Sequence, residues 1–307
     1  MTKHHLIIAT RESPLAMQQA ESIKQLLIAN HPHLTVDFLG ITTQADKILT
    51  ISLTEIGGKG LFVKELEEAL LDRRADIAVH SMKDVPMELP PGLCIPVIGE
   101  REDPRDVFVS NHYESFMQLP NSSIVGTSSL RRQTQLQALR SDLELQTLRG
   151  NIHTRLNRLD KDEFDAIILA AAGLKRMQLT SRIRSYLSVE QSLPAAGQGA
   201  LGIECRAEDQ NVIALIAVLN HASTHACVAA ERALCRRLGG GCKLPVAAYA
   251  ELHHDTLTLH GLVASFNGRR ILRVRHSGHV SQAEDIGTRA AEELFQQGAE
   301  RILKEFL

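Results

Sequence analysis

The chain has 307 residues, 44% of them hydrophobic and 23% charged, with a formal net charge of -2. That length suits two or three domains, and that balance suits a globular protein and excludes a disordered or fibrous one. The charge gives no general attraction to nucleic acid or an anionic membrane, and no apolar run approaches the ~20 residues that cross a bilayer.

From the N-terminus, the run Leu6–Ala9 is too short for a signal-peptide core and predicts a first strand. Ser13 is placed to cap a helix whose first residue, Pro14, has no N–H to leave unsatisfied. Leu15, Gln19, Ile23, Leu26 and Leu27 continue that helix at helical spacing, and Val36–Leu39 predicts a second strand. Residues 42–60 are polar and end in Gly57-Gly58-Lys59-Gly60, which predicts a flap. That tetrapeptide lacks the Ser/Thr after lysine that a phosphate loop needs. Phe62 to Leu71 again has a helical pattern, and Asp76 to His80 forms a compact buried strand. Strands separated by helices predict an α/β lobe with a mainly parallel sheet covered on both faces.

A second passage repeats this grammar. Ile124-Val125-Gly126 predicts a strand, Thr127-Ser128-Ser129 a cap, and the following helix carries Arg131 and Arg132. Leu143–Leu148 predicts a strand ending at Arg149-Gly150-Asn151, and a helix with Arg155 follows. Phe164 to Ala170 parallels Ala75 to His80, so two similar α/β lobes are expected. Gly197-Gln198-Gly199-Ala200-Leu201-Gly202 fits the dinucleotide fingerprint, but a strand-like run follows where a helix should begin, so no Rossmann site is expected. The Gly- and Ala-rich segment from Leu193 to Cys205 is expected to return the chain to the first lobe. After about Asn220 a helix, alternating strands and an amphipathic helix after Ser281 predict a small α+β domain. The expected domains are 1–99 with 200–219, then 100–199, then 220–307.

Between Gly126 and Arg184 there are 11 Lys/Arg against 6 Asp/Glu, an excess of +5 in a chain whose total is -2. A surface helix face accounts for any single arginine, but the placement argues for more. Arg131, Arg132, Arg149 and Arg155 fall at the C-terminal ends of predicted strands or in the turns after them, Arg11 is placed alike in the first lobe, and Arg176 follows Ala170. In open α/β sheets that edge binds ligands, helix N-termini there favour anions, and guanidinium groups pair with carboxylates. A ligand with several negative charges is expected. Three Tyr and no Trp offer little for stacking on bases, so nucleic acid is the weaker candidate.

Asp84 emerges from the strand ending at His80, beside Lys83. Its ordinary role is a turn residue; its functional one is a carboxylate that exchanges protons or stabilises a developing cation. Cys242 follows three glycines, which leave room for a bulky group, and Lys243 favours its thiolate. The other cysteines are Cys94, Cys205, Cys227 and Cys235; an odd total predicts no disulfide framework and a cytoplasmic setting. His225, Cys227 and Cys235 match no zinc spacing, and no metal is expected.

Several phrases together resemble the porphobilinogen deaminase family along nearly the whole chain. They are Thr10 to Ala16, Gly57 to Phe62, His80 to Pro86, Gly126 to Gln133, Arg149-Gly150-Asn151, Thr154-Arg155-Leu156, Ala171 to Arg176, Pro194 to Glu204, and Glu231-Arg232 leading to Gly240-Gly241-Cys242. Lys243 is less typical of the family, while the Gly-Gly-Cys core is intact. The resemblance implies two periplasmic-binding-protein-like α/β lobes plus a small α+β third domain, with the active site between the lobes. It implies a dipyrromethane cofactor joined to Cys242 by a thioether and held by Lys83, Asp84, Thr127, Ser128, Ser129, Arg131 and Arg132. It further implies porphobilinogen as substrate, bound by Arg11, Ser13, Arg149, Arg155, Arg176 and Gln198, with Asp84 catalytic and Lys59 and Phe62 in a flap. A cytoplasmic monomer without nucleic-acid or membrane partners is expected. The rivals are a two-lobed anionic solute-binding protein without catalysis and, less favoured, a pyridoxal phosphate enzyme using Lys83 or Lys59.

Overall fold

The computed structural model describes residues 4–43, 63–240 and 244–306. The chain divides into two compact units, residues 1–101 with 200–225, and residues 102–199 with 226–307.

The first unit is built on β1 (His5–Arg11), α1 (Pro14–Asn30), β2 (Thr35–Ile41), α2 (Lys64–Leu71), β3 (Ile77–Ser81) and β4 (Leu93–Ile98). Alternation along β1 sends Leu6 and Ile8 to one face and Ala9 to the other. On the first face they meet Ala20, Ile23 and Leu27 of α1; on the second, Ala9 meets Leu66, Ala69 and Leu70 of α2. Ser13 caps α1 as expected, its Oγ accepting the Ala16 N–H at 3.4 Å.

The second unit contains β5 (Asp106–Val109), β6 (Ile124–Gly126), α3 (Leu130–Leu139), β7 (Glu144–Gln146), α4 (Ile152–Asp160), β8 (Ala166–Ala170), α5 (Ala171–Arg176) and β9 (Ser185–Tyr186). Its sheet is likewise covered on both faces, by Leu136 of α3 on one and by Leu156 and Leu159 of α4 on the other. The chain then returns through β10 (Leu201–Arg206) and α6 (Gln210–Ile216) to the first unit.

The first sheet runs β2-β1-β3-β10-β4 and the second β7-β6-β8-β5-β9, the same order of elements in each. Four of the five strands in each sheet run in one direction, as the mainly parallel reading expects, and a single strand in each runs against them. β1 pairs in parallel with β2 and β3, but β10 is antiparallel to β3 and β4. In the second sheet β5 is antiparallel to β8 and β9. The strands that depart are those by which the chain enters the second lobe and re-enters the first, so they run against the strands of the repeated strand–helix units.

After α7 (Ala222–Arg237), β11 (Val246–His253), β12 (Thr256–Ala264) and β13 (Ile271–His279) form an antiparallel sheet in that order, followed by α8 (Ala283–Gln296). Gly287 of α8 lies so near α7 that an added Cβ would fall 2.3 Å from the Ala230 carbonyl oxygen, which fixes a glycine there. The other face of this sheet packs Ala247, Leu262 and Ala264 on Leu193.

Candidate functional site

In the second unit the site is organised by Asp106, which has no solvent exposure at the start of β5. Its Oδ1 accepts Arg132 Nε and Nη2 at 3.0 and 2.7 Å, and its Oδ2 lies 2.8 Å from Arg131 Nη2. The Ser192 hydroxyl donates to Oδ2 at 2.7 Å and Gln198 Nε2 to Oδ1 at 2.9 Å. Arg131 Nη1 also donates to the Leu193 carbonyl at 2.6 Å, and Arg132 Nη1 to the Ile168 carbonyl at 3.0 Å. Burial alone raises the Asp106 carboxyl; the two guanidinium groups and the bonds from Arg132 and Ser192 outweigh it and hold the group well below the usual carboxylate range. Two buried cations share one buried anion, so this hub keeps a surplus positive charge.

Around it lie turns whose backbones are fixed by small residues and caps. A Cβ at Gly126 would meet the Phe164 ring at 2.9 Å, so the strand end requires glycine. The hydroxyls that follow hold backbone: Thr127 Oγ1 accepts the Ser129 N–H, Ser128 donates to the Leu148 carbonyl, and Ser129 caps α3 by accepting the Arg132 N–H. Gly150 sits at φ +103 and Asn151 caps α4 by accepting the Thr154 N–H at 2.9 Å. Half-buried Arg155 donates from Nε to the Gly150 carbonyl at 2.8 Å, with half-buried Arg149 beside that glycine. Arg176, at the end of α5, donates to the Gly199 carbonyl at 2.6 Å; burial lowers its pKa, partly offset by Glu102.

In the first unit β3 leads into a single turn, Met82–Asp84. The Met82 N–H donates to the Ala200 carbonyl at 3.0 Å and its side chain is buried against Gly202, where a Cβ would fall 2.2 Å from Sδ. This anchored turn carries half-buried Lys83 and Asp84. Among the described residues no hydrogen bond or ion pair engages the Asp84 carboxylate. Gln19 Nε2 donates to the Ser81 hydroxyl at 2.9 Å just before it, and Arg11 ends β1 ahead of Ser13. Lys59, Phe62 and Cys242 lie outside the described residues.

A family model described as the porphobilinogen deaminase, dipyromethane cofactor binding domain matches residues 6–214, and the model of that family's C-terminal domain matches residues 225–296. The porphobilinogen deaminase of Chromobacterium violaceum is 56% identical over 298 residues, 97% of this chain and 96% of its own length. The chain belongs to the porphobilinogen deaminase family.

Membership makes it a transferase of tetrapyrrole biosynthesis with a dipyrromethane cofactor. A solute-binding protein without catalysis is not favoured. Among solved structures, a putative methionine-binding lipoprotein of Bacillus subtilis shares 13% identity at a TM-score of 0.44, covering 72% of this chain and 92% of its own. A periplasmic substrate-binding protein of Coxiella burnetii shares 12% at 0.44, covering 74% and 96%.

The residues present fit a porphobilinogen deaminase cofactor. A dipyrromethane is a polycarboxylate, and the Asp106 hub has cationic surplus and more guanidinium N–H donors than its acceptors use. Asp106 was not singled out from the sequence; its signal there is an acid opening the apolar strand Val107-Phe108-Val109, where an unpaired charge is costly. Also missed was a buried cluster in the first unit. His80 Nε2 lies 2.8 Å from Glu204 Oε2, while Oε1 of Glu204 and of Glu67 have no partner. Burial first, then Glu204, raises the Glu67 pKa to about 7, His80 opposing and Glu68 adding to it. Glu231, named from the sequence only as part of a family phrase and given no role there, is buried on α7.

Proposed function

We propose that the chain is a hydroxymethylbilane synthase, which joins four porphobilinogen molecules head to tail with loss of ammonia and releases the linear tetrapyrrole by hydrolysis. When bound, the dipyrromethane, attached at Cys242, supplies the pyrrole α-carbon to which the first unit is joined. Arg131 and Arg132, with Thr127, Ser128, Ser129 and Lys83, hold carboxylates of that group; Arg11, Ser13, Arg149, Arg155, Arg176 and Gln198 hold those of the substrate. Guanidinium groups suit this work because each pyrrole brings an acetate and a propionate. Lys59 and Phe62 belong to a covering flap. The working divisions are residues 1–99 with 200–219, 100–199 and 220–307, in a cytoplasmic monomer without nucleic-acid or membrane partners.

Asp84 carries the chemistry. The aminomethyl C–N bond of protonated porphobilinogen breaks, nitrogen leaves as ammonia with the bonding pair, and positive charge passes into the pyrrole. The Asp84 carboxylate accepts the pyrrole N–H and stabilises that charge. After the new C–C bond forms, a proton leaves the junction carbon and aromaticity returns. In the last step the α-carbon joined to the first-added unit takes up a proton, and the C–C bond between them breaks with its electron pair staying on that carbon. Water adds to the methylene cation so released and loses a proton.

The observation that carries this reading is a half-buried carboxylate that no hydrogen bond or ion pair engages among the described residues, on an otherwise anchored turn. Asp84→Asn keeps the shape and loses the charge, so kcat falls by roughly 10²–10³-fold with little change in melting temperature. Near-normal turnover in that variant removes Asp84 from this role.

A further inference from the structure

The segment containing Cys242 joins α7, which ends at Arg237, to β11, which begins at Val246. One buried side chain of α7 ties both of these elements to the turn that feeds the arginine hub. Glu231 has no solvent exposure. Its Oε2 accepts the Gly197 N–H at 2.7 Å and its Oε1 the Ala250 N–H at 2.8 Å. Gly197 stands at φ +72 and Gln198, the next residue, donates to the Pro104 carbonyl at 2.6 Å and to Asp106 at 2.9 Å. An unbroken path therefore runs from β11 through Glu231, Gly197 and Gln198 to Asp106, and so to Arg131 and Arg132.

The strand chemistry explains why the path exists. β11 is an edge strand, with β12 on one side only. On its other side Ala248 donates to the Pro194 carbonyl at 3.2 Å and Ala250 to Glu231, so the 194–198 turn and the carboxylate close that edge. A buried carboxylate is costly unless its oxygens are satisfied. Glutamine of the same shape cannot replace it, because its amide would turn an NH₂ group towards one of two N–H donors.

We infer that Glu231 is a positioning residue that keeps the two elements flanking Cys242 in register with the Asp106–Arg131–Arg132 hub. This rests on the synthase reading. Glu231 bonds backbone N–H groups with both carboxylate oxygens, those of Gly197 and Ala250. Its effect is on alignment, where displacement of about 1 Å costs on the order of 10²-fold in rate.

The test compares Glu231→Gln with the wild-type chain, each purified with whatever cofactor it carries and scored by intact mass. Turnover per cofactor-bearing chain is expected to fall by about 10–100-fold, with KM changed far less. Hydrogen exchange, which does not depend on activity, is expected to quicken together in the peptides containing Gly197 and Ala250. A purely structural role would lower the melting temperature and the yield of loaded chain while leaving turnover per loaded chain intact, and that result overturns the inference. Ala250→Pro removes one donor on the outward side of an edge strand, where proline is tolerated. Should the glutamine variant not fold, the same loss per loaded chain in Ala250→Pro supports the inference, and full turnover there overturns it. If the wild-type chain itself carries no adduct and forms no tetrapyrrole, the synthase reading fails, whatever the variants do.

Discussion

The two lobes share one strand order, and each buries an acid on its internal antiparallel strand, with opposite results. In the first lobe Glu204 of β10 pairs with His80 of β3, and Glu67 crowds the same space with an unpartnered oxygen. Burial first and then Glu204 raise the Glu67 pKa to about 7, so this carboxyl keeps its proton to a higher pH than an ordinary one. In the second lobe Asp106 of β5 faces two arginines, stays ionised and leaves positive charge in excess. The corresponding strand of each sheet thus carries an acid whose pKa is lowered in one lobe, at Asp106, and whose neighbour Glu67 has a raised one in the other. The sign of the neighbouring charge decides the outcome, while the fold is common to both.

The largest effect is expected where that contrast is most direct. Asp106→Asn leaves Arg131 and Arg132 buried without their anion and should destabilise the protein by about 3–5 kcal/mol, with turnover falling as well. Urea unfolding measures the first, and a loss below about 1 kcal/mol would mean that the hub is not the electrostatic centre described.

A smaller effect, of opposite sign in pH, belongs to the first lobe. Glu67 binds its proton more tightly folded, with a pKa of about 7, than at the ordinary 4.5. Between those values the native state holds more protons than the unfolded one, so this group's contribution is complete below the lower value and is lost as pH rises through about 7. The depressed Asp106 behaves inversely: its contribution is present at neutral pH and disappears on acidification. Glu67→Gln, neutral at every pH, should therefore gain on the wild type by on the order of 1–3 kcal/mol between pH 5 and 8. Parallel melting curves for the two proteins across that range would break the comparison.

What was legible in the sequence was local. Ser13 before Pro14, Ser129 before Leu130 and the alternation of β1 are read within a few residues, because caps and pleats act over that distance. The cationic strand ends followed from the repeat of strand and helix. The direction of β5 and β10 was not legible, since it depends on how the chain passes between lobes. Nor were the buried partners: Asp106 meets Arg132 across 26 positions and Ser192 across 86, and Glu204 meets His80 across 124. A charge whose partner is so remote reads in sequence as an isolated acid in an apolar strand.

The central claim is that this chain builds an oligopyrrole on itself, and the intact mass of the purified protein tests it most directly, before and after brief exposure to porphobilinogen. The account predicts a mass above the 33.8 kDa of the bare chain by one dipyrromethane, then a ladder of species each heavier by one deaminated pyrrole unit. A chain of unmodified mass that acquires no such ladder would contradict it.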